Sequence, residues 1–438
     1  MTWGAALLFL GGGLAALLVT GIPVAMAFFG INLAGAWVFL GGEPGLIQVV
    51  RNGVTAIVSY TLAPIPLFIL MGEVLLHTGL AFRAIDAIER LISRVPGRMP
   101  LVAVAGGTVF AALSGSSIAN TAMLGRALLP EMLARGYHPT LAMGPIMATG
   151  AIAMLIPPSA LAVLVGSLAG ISISRLLIAG IVPALLLSAL FALYIVWRAK
   201  RRPQDAPTED HTPMSWGERV RPFLVYVVPL SGIVIVVIGS LIAGVATPTE
   251  SAALGALATI LAAVLYRSLT WANLMQALRG TALTVVMILF IIVASSTFSQ
   301  LLSFSGASNG IISFIRSFDP TPFNVMLGMM LILLILGCFV DQVSMAMITI
   351  PLFIPVAQAV DINLLSLGVI YLITMEISFL TPPFGLLLFV MKGVAPPQYS
   401  MTTVYRAAAP FVLIEIIVLM AILFFPELGL WLPSLMRE

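Results

Sequence analysis

Charged and metal-binding side chains are scarce in this sequence. Only 8% of its 438 residues are Asp, Glu, Lys or Arg, and it has three histidines and one cysteine. Soluble domains have about 25% charged residues, so the composition excludes an ordinary soluble protein. Cys338 alone cannot form an internal disulfide, and His77, His138 and His211 are scattered rather than grouped as metal ligands. We find no Ser-His-Asp, metal or paired-acid pattern at a usable spacing, and we expect the protein not to be an enzyme.

Long apolar runs take the place of the missing charge. Hydrophobic residues make up 61% of the chain, and the net charge of +3 is spread over loops, which gives no case for nucleic-acid binding. Because about 20 apolar residues cross a bilayer, we predict an all-α polytopic membrane protein. Its ten or so spans are expected near residues 3–20, 22–41, 54–79, 138–172, 175–197, 222–243, 246–266, 281–303, 363–391 and 404–425. The first run lacks a basic segment before it, so we interpret it as a transmembrane helix rather than a signal peptide.

The segment 80–100 differs from the spans. Its apolar residues recur at helical spacing, while Arg83, Arg90 and Arg94 lie elsewhere on the helical wheel. This pattern predicts an amphipathic helix that lies in the membrane interface. By the positive-inside rule, its arginines indicate the cytoplasmic side.

A polar stretch interrupts the segment 101–136. Apolar arms of about 12–14 residues, roughly 20 Å of helix each, are too short to cross about 30 Å of hydrocarbon. Between them lies the sequence Ser114-Gly115-Ser116-Ser117-Ile118-Ala119-Asn120-Thr121. We therefore predict a re-entrant hairpin with a buried polar tip.

A pair of prolines interrupts the span at 138–172. Pro157-Pro158 lies in an apolar run, 141–173, that has no Asp, Glu, Lys or Arg. Two prolines remove two backbone donors and break the helix, and the freed backbone groups need protein, water or an ion beside them in a membrane. The same arrangement recurs in the second half of the chain, at Pro382-Pro383.

The sequence offset that places Pro382 on Pro157 relates further features of the two halves. It also aligns Pro23 with Pro248 and Pro130 with Pro355. Five spans in the first half would start the second half from the opposite membrane face, and the segment 305–325, which matches the arginine-rich helix, has one basic residue. We predict two inverted-topology repeats, residues 1–198 with hairpin 101–136 and broken helix 138–172, then a cytoplasmic linker at 199–221, then residues 222–438 with hairpin 323–359 and broken helix 363–391.

Inverted repeats that each contain a hairpin and a broken helix are typical of secondary transporters. Helix N-termini at the tips suit a carboxylate, and unwound carbonyls with Ser, Thr and Asn oxygens suit Na⁺. Close packing of small residues is the alternative interpretation of the tips. The same offset places Asp341 at the position of Ser116, and Thr374 at the position of Thr149. A carboxylate at membrane depth costs at least about 2.5–3.5 kcal/mol on insertion scales, which makes Asp341 a functional candidate.

Further acidic residues, among them Glu376, Glu73 and Glu250, lie in or beside apolar segments. Glu376 precedes Pro382, and its sequence context leaves open whether it serves the site or is a structural carboxyl group. Glu73 is expected to cap or pair structurally. Glu250 follows Thr247 and Pro248 in a helix-start pattern, where a carboxylate is favourable for the helix.

In these motifs the chain resembles the large membrane subunit of tripartite ATP-independent periplasmic (TRAP) transporters. The matching stretches cover nearly the whole chain in order, and they are Gly21-Ile22-Pro23-Val24, Pro66-Leu67-Phe68-Ile69-Leu70-Met71-Gly72-Glu73, Ser114-Gly115-Ser116-Ser117, Leu128-Leu129-Pro130-Glu131-Met132, Arg135-Gly136-Tyr137, Ile156-Pro157-Pro158-Ser159, Ala246-Thr247-Pro248-Thr249-Glu250, Phe339 with Asp341, Leu380-Thr381-Pro382-Pro383-Phe384-Gly385 and Lys392-Gly393-Val394-Ala395-Pro396.

The resemblance implies the ion-transporter superfamily fold, with a scaffold and an elevator-type transport domain that carries both hairpins. It also implies import of an organic acid, such as sialic acid or a dicarboxylate, driven by a Na⁺ gradient across the bacterial inner membrane. The implied partners are a soluble periplasmic substrate-binding protein and a small four-helix membrane subunit, in a lipid bilayer. We expect both termini to be periplasmic.

Family Na⁺ sites lie at the two hairpin tips and the facing helix breaks. Carried over to this chain and extended by the matched threonines, they predict Na⁺ binding at Ser116, Ser117, Asn120, Thr149, Pro157, Asp341, Ser344, Thr374, Thr381 and Pro382. Substrate contacts are predicted at Ser114, Gly115, Ser159, Arg126 and Gly385. Asn120 and Arg126 depart from the family pattern, in which small or neutral residues are commoner. Arg126 has the alternative of snorkelling or of pairing with Glu131.

Two other functions fit the same pattern. A stand-alone Na⁺/carboxylate symporter of the same superfamily would work without a binding protein. A channel would not need two closed polar tips, and its flux would not saturate with substrate.

Overall fold

A computed structural model describes residues 1–92, 95–207 and 215–436. Within these ranges the chain is helical and has no β-strand. Arg94, His211 and the middle of the expected linker, 208–214, lie outside the described residues. In chain order the helices are Trp3–Val19, Val24–Phe39, Glu43–Ile57, Pro64–His77, Leu80–Leu91, Arg98–Ser114, Ser117–Ala134, Pro139–Ala151, Ala160–Ala169, Ile173–Arg201, Trp216–Ile242, Pro248–Leu265, Trp271–Phe304, Ala307–Arg316, Pro322–Gly337, Gln342–Ala359, Leu364–Leu380, Leu386–Val394, Met401–Phe424 and Glu427–Ser434.

Many of these helices suit a membrane. In the described ranges, seven are long and apolar enough to cross a bilayer by length and composition, and seven further apolar helices are 10–17 residues long. The all-helical, multi-pass class predicted from the sequence is confirmed. The count of ten spans stays a prediction.

The segment expected as one span at 54–79 is divided in the structure. The helix Glu43–Ile57 ends there, and a separate helix, Pro64–His77, begins after a short 3₁₀ turn. Pro64 and Pro66 fit the first turn of this helix, because a proline there removes no intrahelical hydrogen bond. The prediction missed the earlier helix because its polar residues dilute its apolar face.

The amphipathic helix predicted at 80–100 is shorter than expected. It spans Leu80–Leu91 and buries Ile85 and Ile88, whereas Arg83 and Arg90 are outside this buried face. Glu89 on this helix forms ion pairs with Arg98 at 3.1 Å and Arg135 at 3.3 Å. The pairs attach the helix to the two outer ends of the following helical pair.

Two helical hairpins and two broken helices correspond to the predicted segments. The first hairpin consists of Arg98–Ser114 and Ser117–Ala134, and the second of Pro322–Gly337 and Gln342–Ala359. The first broken helix consists of Pro139–Ala151 and Ala160–Ala169, and the second of Leu364–Leu380 and Leu386–Val394. The first hairpin's arms, of 17 and 18 residues, are longer than the predicted 12–14 because the helices continue into the flanking polar residues.

Capping side chains explain where three helices begin, namely the second arm of each hairpin and the second part of the first broken helix. Ser116, Ser159 and Asp341 each adopt an extended backbone and accept a hydrogen bond from an N–H in the first turn of the helix that follows. Each proline pair in the breaks has a cis peptide bond. The first break lies directly before the helix that Ser159 caps, and the second lies directly before the helix Leu386–Val394.

A long helix organises the other side of the fold. Trp271–Phe304 has 34 residues, starts ten residues before the predicted span at 281, and packs against Pro64–His77. Pro248–Leu265 covers the same short helix. The hairpins and broken helices pack on one another and on Met401–Phe424. The polar tips lie where these two groups of helices meet.

The expected linker at 199–221 is shorter in the structure. The preceding helix continues to Arg201, and the following helix begins at Trp216. Arg198 forms an ion pair with the buried Asp205 at 2.9 Å, which holds the chain against the end of its own helix.

Candidate functional site

A cavity of about 310 Å³ lies between the tips of the two hairpins and the helices Pro64–His77 and Trp271–Phe304. We call it the central cavity. Its walls are mostly apolar, and its polar lining comes from both halves of the chain. The lining residues are Ile69, Gly72, Glu73, Leu76, Phe110, Ser114, Gly115, Ser116, Ile118, Ala119, Ala160, Leu161, Thr284, Met287, Ile288, Asp341, Gln342, Val343 and Leu386.

The first hairpin tip is held by two close backbone approaches. Gly115 has a φ of +58°, and a Cβ there would lie 2.8 Å from the carbonyl oxygen of Pro158. A Cβ on Gly72 would lie 2.7 Å from the carbonyl oxygen of Ser114. Both positions need glycine because a side chain would not fit, and Gly115 needs it also for its left-handed backbone. The tip is clamped between its own half's helix break and the helix Pro64–His77.

The second hairpin tip is organised by Asp341. Its Oδ1 accepts hydrogen bonds from the backbone N–H of Val343 at 3.0 Å and of Ser344 at 3.1 Å, and the Ser344 hydroxyl donates to Oδ2. A carboxylate at a helix N-terminus is stabilised by the helix dipole. Asp341 is exposed and lines the central cavity, so its remaining lone pairs face a ligand space.

This tip also packs on the break of its own half. A Cβ on Gly337 would overlap the hydroxyl oxygen of Ser378. The Cys338 Sγ lies 3.7 Å from the carbonyl oxygen of Pro382. Each hairpin tip thus contacts the proline break that follows it in the chain.

Two further polar groups line the central cavity. The Oε2 of Glu73 lies 3.3 Å from the Nδ1 of His77, and Glu73 packs against Gly280, where a Cβ would lie 2.6 Å from this Oε2. The Nε2 of Gln342 is buried without a hydrogen-bond partner among the described residues. Over the described part of the chain, the lining contains two carboxylates and neither Lys nor Arg. The polar end of the cavity therefore offers oxygen ligands without a competing basic side chain, which suits a cation.

A second polar layer lies behind the first tip. The Asn120 side-chain amide donates to the carbonyl oxygens of Gly107 at 3.2 Å and Thr149 at 2.9 Å. Its Oδ1 is buried and has no partner among the described residues. Asn120 therefore ties the second arm of the hairpin to the first arm and to the broken helix, with one oxygen left for a cation.

Glu376 connects the two halves in the same layer. It is 2% exposed, and its Oε1 accepts hydrogen bonds from the Ser117 hydroxyl at 3.1 Å and from the backbone N–H of Met154 at 3.1 Å. Met154 lies in the 3₁₀ turn before the first proline pair. A side chain of the second broken helix thus bonds both to the first hairpin and to the turn before the first proline pair.

The structure brings some of the predicted residues together and leaves others apart. Ser114, Gly115, Ser116 and Asp341 line the central cavity, and Ser159 and Gly385 directly precede its lining residues Ala160 and Leu386. The remaining predicted Na⁺ ligands surround the cavity lining without forming it, namely Ser117, Asn120, Thr149, Pro157, Ser344, Thr374, Thr381 and Pro382.

Several of these ligands already have partners inside the protein. The hydroxyls of Thr149, Thr374 and Thr381 each donate to a carbonyl oxygen four residues earlier in the chain, at 2.7 Å. Pro157 is buried, whereas Pro382 is exposed on this chain. The two matched breaks therefore differ in how they are covered.

Arg126 does not reach the cavity. It is exposed on the helix Ser117–Ala134, nine residues and roughly 14 Å along the helix from Ser117. Glu131, its suggested partner, forms an ion pair with Arg135. The assignment of Arg126 as a substrate contact stays a prediction, and this geometry does not support it.

Sequence reasoning missed three polar lining residues of the central cavity. Glu73 was expected to cap or pair structurally; it contacts His77, but it also faces the cavity. Gln342 was overlooked beside Asp341, although its place at the second tip was the available signal. Thr284 could not be found from the sequence, because nothing marks that turn of the long apolar helix.

Hairpin tips and helix breaks of opposite halves around one cavity, in an apolar helical chain, define a membrane transporter. The family model described as "Tripartite ATP-independent periplasmic transporter, DctM component" matches residues 12–428. The chain belongs to this family of TRAP transporter large permeases.

Individual relatives agree with this membership, and a solved structure has a similar fold. The chain is 30% identical over 434 residues to the 2,3-diketo-L-gulonate TRAP transporter large permease protein of Escherichia coli strain K12, covering 97% of this chain and 98% of the relative. It is 31% identical over 378 residues to the C4-dicarboxylate TRAP transporter large permease protein of Pseudomonas aeruginosa, covering 86% of each. Its fold is similar to the YdaH transporter of Alcanivorax borkumensis, with a TM-score of 0.68, 13% identity and coverage of 94% and 99%.

Proposed function

We propose that this chain is the large permease subunit of a Na⁺-coupled importer of an organic acid. The observation that carries the proposal is the meeting of Ser114 to Ser116 with Asp341 at one cavity, although these tips belong to different halves of the chain. The names of the two relatives given above refer to a diketo-gulonate and to C4-dicarboxylates. Together they support a small carboxylate as the substrate class.

The residues around the tips fit Na⁺. Hard cations prefer oxygen ligands, and the site offers the carboxylate of Asp341, the hydroxyl of Ser116 and carbonyl oxygens beside the breaks. The buried Oδ1 of Asn120, which has no partner among the described residues, is the kind of oxygen that a cation would satisfy. The bound ion would supply positive charge to a substrate carboxylate in a cavity that has no basic lining residue among those described. Coupling would follow because the acid binds well only after the cation.

The helix bounds support the proposed inverted repeats. Under the offset that places Pro382 on Pro157, Ser117–Ala134 and Gln342–Ala359 match at both ends, and Pro139–Ala151 and Leu364–Leu380 match at their starts. The two halves of the chain also pack on each other through matching elements. The second arm of the first hairpin contacts Leu386–Val394, and the second arm of the second hairpin contacts Ala160–Ala169.

This packing supports an elevator-type mechanism. The hairpins and broken helices form one interlocked group, which would move as a unit against the helices Pro64–His77, Pro248–Leu265 and Trp271–Phe304. In the proposed cycle the group carries ion and substrate across the membrane, and the scaffold stays fixed. The unequal covering of the first and second breaks is consistent with a conformation open on one side.

Family membership supports the proposed setting. We propose that the chain works in the bacterial inner membrane with a small four-helix membrane subunit and a periplasmic binding protein that delivers the acid. The proposed orientation has periplasmic termini, with the helix Leu80–Leu91 on the cytoplasmic side.

The test is uptake of radiolabelled carboxylates into proteoliposomes that contain the chain, the small subunit and the binding protein. Uptake should require an inward Na⁺ gradient and should saturate with substrate. Equal uptake in Na⁺-free choline buffer at constant pH would contradict the coupling. Full activity without any binding protein would favour the stand-alone symporter, and flux that never saturates would favour a channel.

A further inference from the structure

A second cavity, of about 570 Å³, lies far from the tips, at the end of the helix Ile173–Arg201. We call it the basic pocket. It is lined by three segments that are distant in sequence, at the start of the first broken helix, the end of Ile173–Arg201 and the first turns of Met401–Phe424. The lining residues are His138, Thr140, Tyr194, Trp197, Arg198, Arg201, Arg202, Arg406 and Pro410.

One arginine forms the floor of the basic pocket. Arg198 is 12% exposed and is fixed by an ion pair to Asp205 at 2.9 Å and a hydrogen bond to the Thr140 hydroxyl at 2.6 Å. Asp205 in turn accepts a hydrogen bond at its carbonyl from the His138 backbone N–H at 3.0 Å. This network joins two of the three segments and neutralises the charge of Arg198. The floor is therefore structural.

The rim of the basic pocket is positively charged and unneutralised. Arg201, Arg202 and Arg406 are exposed, and none of them has an ion-pair partner among the described residues. Of the lining residues that the structure describes, none is Asp or Glu. Positive-inside topology explains basic residues at a helix end, but it does not require Arg406, from a helix in the other half of the chain, to line the same cavity. Arginines that converge without carboxylates form a site for a phosphate-type anion.

Aromatic and apolar surface beside the rim indicates where that anion comes from. Arg201 lies over the ring of Trp197 at 5.4 Å, and Trp197 is 52% exposed. Tryptophan and tyrosine at a helix end mark the level of lipid headgroups. Toward the middle of each helix, Leu193 and Leu413 are 65% and 59% exposed. An acyl chain could lie along these leucines while its phosphate reached the arginines.

We propose that the basic pocket binds the phosphate group of an anionic phospholipid, whose acyl chains lie along Leu193 and Leu413. Basic pockets between transmembrane helices are suited to anionic headgroups. The lipid would bridge Met401–Phe424 and the first broken helix at the end away from the central cavity. This site is independent of the proposed transport function.

The test measures lipid binding to the full-length protein in neutral detergent. Dioleoyl phosphatidylglycerol and dioleoyl phosphatidylcholine are titrated separately, and adducts are counted by native mass spectrometry. We expect saturable binding of the phosphatidylglycerol only. If each lining arginine that contacts the headgroup contributes a factor of roughly five, Arg406→Gln should weaken binding about fivefold and the Arg201→Gln, Arg406→Gln double variant about 25-fold.

Lys200→Gln is the matched control, because it removes one positive charge from the same helix end but lies outside the pocket lining. It should change binding by less than about twofold, since surface charge alone is screened. Unchanged phosphatidylglycerol binding in the double variant would overturn the site, as would an equal loss in the control. Inorganic phosphate is the second probe, and if it displaced the lipid adducts at comparable concentration, the pocket would be a site for a soluble anion and the lipid assignment would be overturned.

Discussion

Glu376 accepts a hydrogen bond from the hydroxyl of Ser117 at 3.1 Å, although the two residues are 259 positions apart in the chain. The same carboxyl oxygen accepts a hydrogen bond from the backbone N–H of Met154 at 3.1 Å. The contact joins the first hairpin, the first break and the second broken helix at one buried point. The proposed movement of the hairpins as one unit would be helped by such cross-links, because interhelical hydrogen bonds stabilise helix association in a membrane.

We predict that Glu376→Ala destabilises the protein, whereas Glu376→Gln changes its stability much less. Alanine leaves a buried hydroxyl and a buried N–H without an acceptor, at a cost of about 1–3 kcal/mol. Glutamine keeps an acceptor oxygen and the side-chain volume. The measurement is the apparent melting temperature of the purified protein in detergent, and equal melting temperatures for the alanine variant and the unchanged protein would show that the cross-link does not stabilise the fold.

The ion pairs of Glu89 give a second prediction about stability. Glu89→Gln should lower the unfolding free energy by about 1–3 kcal/mol, because Arg98 and Arg135 both lose a charged acceptor in a partly buried place. Asp86→Asn is the control on the same helix, since its pair with Arg90 at 2.9 Å is largely exposed and such pairs contribute about 0–1 kcal/mol. The melting temperatures of the two variants should therefore differ. Similar values would mean that Glu89 does not anchor the interfacial helix.

Helix starts and helix breaks were the most predictable parts of the fold, because they depend on neighbouring residues. Thr247, Pro248 and Glu250 predict a helix start, and the structure has the reciprocal bonds of a capping box there, with Thr247 N–H donating to Glu250 at 2.8 Å. Four neighbouring residues suffice for such a signal. The breaks at Pro157 and Pro382 were predictable for the same reason, because proline acts on its own helix.

Contacts between distant segments were not predictable in the same way. Ser117 and Glu376 each have a plausible local role, and nothing in either segment specifies the other as its partner. The helix Glu43–Ile57 was missed because polar residues interrupt its apolar pattern, and one of them, Asn52, is bonded to Gln300 of the long helix. Which residues line the central cavity depends on how whole helices pack, so only the structure identified Glu73 and Gln342 as lining residues.

The close approach at Gly115 predicts a loss of transport on a very small substitution. Gly115→Ala would add a methyl group 2.8 Å from the carbonyl oxygen of Pro158, so the tip must move away from the break. We expect the initial rate of uptake in proteoliposomes to fall at least about tenfold, because a displacement of about 1 Å at a site can cost 10²-fold.

Gly170→Ala separates this effect from backbone strain. Gly170 also ends a helix with a positive φ, of +66°, but a Cβ there would meet nothing within 4 Å. Both alanines carry the cost of about 1–2 kcal/mol for a left-handed backbone. Uptake by the Gly170→Ala variant should stay within about threefold of the unchanged protein, and an equal loss in both variants would assign the effect to strain rather than to the tip.

The sharpest functional prediction concerns Asp341. Asp341→Asn keeps the N-terminal cap, because asparagine caps helices as well as aspartate does, but it removes the negative charge that faces the central cavity. If Asp341 is a Na⁺ ligand, the Na⁺ concentration for half-maximal uptake should rise at least about tenfold, since losing one charged ligand costs more than about 1.4 kcal/mol. Asp361→Asn is the control, because Asp361 is exposed with a φ of 55° that asparagine tolerates, and it is not a lining residue. Its Na⁺ titration should match the unchanged protein. An unchanged titration in Asp341→Asn, at normal expression and melting temperature, would remove Asp341 from the ion site and leave it the cap of the second hairpin alone.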